Sequence, residues 1–125
     1  MMGLGYKGDA GHYYSIAENL PSLISSYSYH NGYFGEKGQG RSFVRNIACS
    51  NPAKVAKDFY DKAAHGGIEQ EMSNGKGLYT KLKDGSILSY REVSSSDGTP
   101  VVEINIRGST DHGGVKNQKI HFVKG

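Results

Sequence analysis

His121 is the residue in this chain best suited to acid-base chemistry, because an imidazole titrates near neutrality and this one sits among cations in the run Lys119-Ile120-His121-Phe122. If that run is a strand, Lys119 and His121 share one face and Ile120 and Phe122 the other. The same alternation in 101–107 sets Glu103, Asn105 and Arg107 against Val102, Ile104 and Ile106, and Arg91 lies within a further extended run. A base, an acid and two or three cations on one surface are what metal-free cleavage of an RNA backbone requires. One group takes the 2′-hydroxyl proton, one protonates the leaving oxygen, and cations hold the added negative charge. The expected roles are acid-base work for His121 with Glu103 as the complementary base, and charge stabilisation for Lys119 and Arg91, the arginine as a bidentate phosphate ligand. Alternation alone fits a salt-bridged exterior equally well.

Charge distribution supports a phosphate-facing surface. The chain carries 15 Lys and Arg against 12 Asp and Glu, net +3 over 125 residues. From Lys76 to Gly125 there are six Lys and two Arg against five acids, whereas residues 1–75 carry seven of each, so the excess lies entirely in the last fifty residues. The adjoining turns add Thr110 and His112, then Lys116, and the Ser94-Ser95-Ser96 run offers hydroxyls to a phosphate, although Ser, Asp and Gly also serve any hairpin loop. Arg107, Lys116, Glu103 and Ser94 are the expected substrate-binding rim.

Other chemistries fit less well. Asp111, His112, Asn117 and His121 fall within eleven residues and suggest a metal-dependent nuclease, but they show no helical His-x-x-His or Glu-x-x-His spacing. No metal and no cofactor is expected. Gly35-Glu36-Lys37-Gly38-Gln39-Gly40-Arg41 lacks the Gly-Lys-Ser/Thr ending of a nucleotide-binding loop. The single Cys49 allows no internal disulfide and reads as a small buried apolar residue. No apolar run reaches membrane-spanning length, and the start Met1-Met2-Gly3-Leu4-Gly5 lacks a signal-peptide pattern.

These side chains need elements to position them. The length suits one domain, and 18 Gly, 9 Tyr and a mean hydropathy of -0.57 describe a loop-rich chain with a loosely packed lead-in over 1–40, ahead of a domain over 41–125. Tyr13, Ile16, Ala17 and Leu20 share a helical face that Pro21 should interrupt, with Leu23-Ile24 continuing in a second short helix. Residues 25–41 read as loop. The clearest helix starts at Ser50 or Asn51 with Pro52 in its first turn, carries a stripe of Val55, Ala56, Phe59 and Ala63, and ends at Gly66-Gly67. A connector over 68–77 leads to extended runs at 78–82, 87–93, 101–107 and 118–123, joined by turns that include Asp84-Gly85 and Asp97-Gly98. The expected fold is α+β: N-terminal helices packed on a four-stranded antiparallel sheet, with the polar face left open.

One set of segments carries a family likeness. Arg45-Asn46-Ile47, Asn51-Pro52, Lys57-Asp58-Phe59-Tyr60-Asp61-Lys62, Gly66-Gly67-Ile68-Glu69, Lys83-Asp84-Gly85, Ser94-Ser95-Ser96-Asp97-Gly98-Thr99-Pro100 and Gly113-Gly114-Val115-Lys116-Asn117-Gln118-Lys119-Ile120-His121-Phe122 together resemble the C-terminal toxin domains of bacterial polymorphic and contact-dependent growth inhibition toxins. The layout of helices followed by a meander also resembles the barnase/EndoU/colicin/RelE-like ribonucleases. That resemblance implies metal-independent cleavage of RNA, usually tRNA, on the open face of the sheet, with His121, Lys119, Arg91, His112 and Thr110 as the positions this chain offers. It further implies a cognate immunity protein as partner, a host protein factor in some cases, no membrane in the folded state, export as part of a larger toxin, and action in the target-cell cytoplasm. Two alternatives stay open: a metal-dependent DNase, and a module that binds RNA or protein without chemistry.

Overall fold

The computed structural model describes residues 14–94, 98–106 and 112–125. Helix α1 spans Ile16–Ser26. Ser15 caps it in a reciprocal box: its hydroxyl accepts from the Glu18 amide at 3.2 Å, and a Glu18 carboxylate oxygen accepts from the Ser15 amide at 2.8 Å. Ile16, Leu20 and Leu23 fall on one stripe and are buried. The expected break at Pro21 does not occur. Pro21 stands on the exposed side, where water can satisfy the carbonyl its missing N–H leaves bare, and the buried stripe offsets the cost of the lost bond.

Ser15→Ala is expected to cost about 1 kcal/mol by removing the cap. The backbone hydrogen bond from Ser15, followed by Lys83, holds the Glu18 carboxyl below its ordinary value. A lowered carboxyl stabilises the fold above the unfolded-state value, and that contribution is lost as pH falls through the folded value. Thermal melts at neutral and acidic pH should therefore show the deficit of a Glu18→Gln variant shrinking on the acid side.

The 25–41 segment is more ordered than its glycines suggest. Strands β1, Tyr29–His30, and β2, Tyr33–Phe34, form a hairpin whose two turn residues both have positive φ, Asn31 at 54° and Gly32 at 85°. That is the Asn-Gly turn that matches strand twist. Strand β3, Glu36–Lys37, then pairs antiparallel with β4, Val44–Cys49. Helix α2, Pro52–Ala63, is capped by Asn51, opens on Pro52 and buries Ala56, Phe59, Tyr60 and Ala63. Asn19 of α1 donates to the Ala63 and His65 carbonyls, both at 2.9 Å, and so closes the end of α2 against α1.

Five strands follow: β5, Ile68–Glu71; β6, Leu78–Lys81; β7, Ile87–Arg91; β8, Val101–Asn105; and β9, Gln118–Lys124. The fold is α+β, but the four-stranded antiparallel sheet must be corrected. The main sheet has seven strands in the order β3-β4-β9-β8-β7-β6-β5 and is mixed, because β4 runs parallel to β9. The four expected strands are β6 to β9, and β5, which falls in the segment expected as a connector, pairs with β6 and extends this antiparallel run to five.

Both helices lie on one side of the core formed with the sheet. Phe59 is its centre, 5.0 Å from Tyr27, 5.0 Å from Phe34 and 5.7 Å from Phe122 between ring centroids. Leu88, Val102, Ile104, Ile120 and Phe122 supply the sheet's contribution. The described part of the lead-in shares this core through Ile16, Leu20, Leu23 and Phe34. Gln118, buried on β9, accepts from the Phe34 amide at 2.8 Å and donates to the Gly32 and Lys116 carbonyls, which holds the hairpin to the sheet.

Candidate functional site on the open sheet face

With Ile120 and Phe122 committed to the core, strand alternation turns Lys119 and His121 to the face away from α2. Register then assembles two rows across that face. One pairs Ser89 with Glu103 and Glu103 with Lys119. The other pairs Arg91 with Val101, Val101 with His121, and His121 with Asn46 on β4. Directly opposed residues on one face stand about 5 Å apart and diagonal ones about 7–8 Å. Glu103 and His121 are a diagonal pair across β8 and β9. The Arg91 guanidinium donates to Glu103 at 3.0 Å, with side-chain exposures of 24% and 31%. Lys119 is half-buried beside Glu103 and makes no ion pair among the described residues.

His121 departs from the expected open position. It is on the expected face, yet only 5% exposed, and its Nδ1 lies 2.9 Å from the Thr99 hydroxyl. Thr99 comes from the β7–β8 connection, whose base is closed by the Ser94 amide donating to the Thr99 carbonyl at 2.8 Å. The Pro100 carbonyl accepts from the Phe122 amide at 2.9 Å, which ties the connection to β9. The imidazole is thus held in one orientation at the edge of the Arg91–Glu103–Lys119 cluster. It is not beneath a helix.

The remaining candidates separate from this cluster. Ser94 is 3% exposed and belongs to the base of the connection, so it offers no open hydroxyl. His112 is half-buried with its Nε2 shielded and without a hydrogen-bond partner, in a turn whose next residue, Gly113, packs on Leu20 of α1. That places the turn on the helix side of the sheet. Lys116 donates its amide to Gly32 at 3.0 Å and sets its ammonium 5.3 Å from the Tyr33 ring, at the hairpin. Arg107 and Thr110 lie outside the described residues, as does Asp111 of the possible metal set. Of that set, Asn117 accepts from the Ile106 amide, and the described residues hold no group of three or more His, Cys, Asp or Glu that could bind a metal ion. Cys49 is half-buried, and burial pushes its thiol up, away from a reactive thiolate.

Sequence reasoning missed Asn46 and Ser89. Asn46 reaches the site only through the parallel pairing of β4 with β9, which leaves no local trace. Ser89 could have been found from the alternation of β7, since Leu88 and Tyr90 are buried and Ser89 and Arg91 are not. No family model, curated protein or solved structure matches the chain. No helix among the described residues is long and apolar enough to cross a membrane.

Proposed function

We propose that the chain is a metal-independent ribonuclease acting on tRNA, a toxin domain held in check by an immunity protein that covers the open face. The observation that carries this reading is the register that sets Arg91, Glu103, Lys119 and His121 on one sheet face turned away from the helices. The Glu103 carboxylate takes the proton of the 2′-hydroxyl, and the 2′-oxygen attacks the adjacent phosphorus. The bond to the 5′-oxygen breaks as the protonated His121 gives that oxygen its proton, leaving a 2′,3′-cyclic phosphate. Lys119 and Arg91 hold the charge on the non-bridging oxygens, and Thr99 orients the imidazole. A likeness to the barnase/EndoU/colicin/RelE-like group belongs to the same proposal, supported by two helices that precede the antiparallel run β5 to β9. On this reading the domain is exported within a larger toxin and works in the target-cell cytoplasm, where a host factor can assist it.

A non-catalytic RNA-binding sheet is the second reading, favoured by the 5% exposure of His121 and the Arg91–Glu103 ion pair. Incubating the purified chain with tRNA and with plasmid DNA, in EDTA and in Mg2+, separates the readings. Cleavage of tRNA that persists in EDTA is expected. Loss of cleavage in EDTA, or cleavage of the plasmid alone, overturns the metal-free scheme, and binding without cleavage under any condition leaves the module.

A further inference from the structure

A second cationic surface lies around the end of the sheet from the open face. The first turns of α2, the turn between β5 and β6 and the end of β7 enclose a cleft of about 1050 Å3. Lys54, Lys57, Lys76 and Arg91 line it against two acids, Glu71 and Glu92. Lys54 and Lys57 pair along the helix with Asp58 at 3.5 Å and Asp61 at 3.1 Å, in side chains 42% to 70% exposed on the lysine side. Exposed pairs of this spacing contribute only a few tenths of a kcal/mol, so a phosphate can recruit both ammonium groups. Lys76 is exposed and makes no ion pair among the described residues. Its amide donates to the Asn74 side chain at 2.9 Å, within a turn closed by the Met72 amide on the Gly77 carbonyl at 2.8 Å. Gly77 permits that turn to lie against β7, because a Cβ there would collide with the Tyr90 carbonyl and the Arg91 side chain. Arg91 belongs to both surfaces: its guanidinium bonds Glu103 on the open face while the residue lines the cleft.

We propose that this cleft binds the phosphodiester backbone of single-stranded RNA on one side of the cleaved phosphate, with Lys54, Lys57 and Lys76 as the contacting cations and Arg91 as the link to the open face. The inference rests on the ribonuclease reading for its substrate, and it is tested by binding alone. The probe is a fluorescent 2′-O-methyl RNA oligonucleotide, which lacks the attacking hydroxyl, titrated at several salt concentrations into the wild-type chain and a Lys54→Ala/Lys57→Ala/Lys76→Ala variant. Every phosphate of a single strand that is no longer neutralised by a lysine lowers the slope of log affinity against log salt by about 0.7, so the triple variant should lose about 2 from the slope and at least tenfold in affinity at low salt. An unchanged slope and affinity overturn the proposal, as does equal displacement of the RNA by polyglutamate, which would make the cleft a site for acidic protein. Should the triple variant fail to fold, Lys76→Glu on the exposed turn carries the same test, with the same direction expected and an unchanged slope and affinity again counting against it. Lysine-dependent binding with no cleavage of natural RNA removes the catalytic reading and keeps the cleft. Cleavage that depends on His121 with lysine-independent binding removes the cleft alone.

Discussion

Phe59→Ala is expected to destabilise the domain by about 3–5 kcal/mol, the range for truncating a large, fully buried aromatic side chain. The ring touches Tyr27, Phe34 and Phe122, so its removal opens a cavity where α2, the segment after α1, the hairpin and β9 meet. These neighbours belong to three separate segments and cannot all collapse into the gap. Domains are stable by only about 5–15 kcal/mol in total, so the substitution removes a large fraction of the margin. Urea titration at 25 °C measures it. A deficit below about 1 kcal/mol, the centre of the range for ordinary substitutions, would show that the packing centre lies elsewhere.

His121→Ala is expected to lower tRNA turnover by about 10²–10⁴-fold while RNA affinity changes by less than tenfold, since general acid catalysis contributes on that scale and the binding cations remain. The two quantities must be measured on the same substrate. The ring is 5% exposed and bonded to Thr99, so a structural role would show as a lower thermal midpoint with affinity and turnover falling together. Thr99→Val supplies the complementary case: it keeps the shape, removes the hydroxyl, and should lower turnover with RNA affinity held, through the imidazole it no longer orients.

The parts of this fold legible in the sequence are those set by local chemistry. Asn51-Pro52 and the Ala56, Phe59, Ala63 stripe specified α2, and Asp84-Gly85 with the alternation of 101–105 and 118–123 specified the meander. Alternation likewise set the sides of Glu103, Lys119 and His121 once Phe122 was assigned to the core. The rest depends on neighbours distant in sequence. β4 pairs Val44 with Lys119 and Cys49 with Lys124, and nothing within Val44–Cys49 announces a parallel partner so far along the chain. Asn31-Gly32 did carry a turn signal, but its two-residue strands are too short to show a period. Pro21 read as a break because propensity is local, whereas the burial of Ile16, Leu20 and Leu23 that keeps α1 continuous is not. The shielding of His121 comes from the β7–β8 connection folding back onto β9, and the drawing away of His112 comes from the packing of Gly113 on α1.

The end groups left on tRNA by the purified wild-type chain in EDTA test the central claim most directly. The account requires new 5′-hydroxyl ends and 2′,3′-cyclic phosphates, formed by attack of the neighbouring 2′-oxygen at the open face. Ends carrying a 5′-phosphate and a 3′-hydroxyl, or intact tRNA after prolonged incubation, would contradict it.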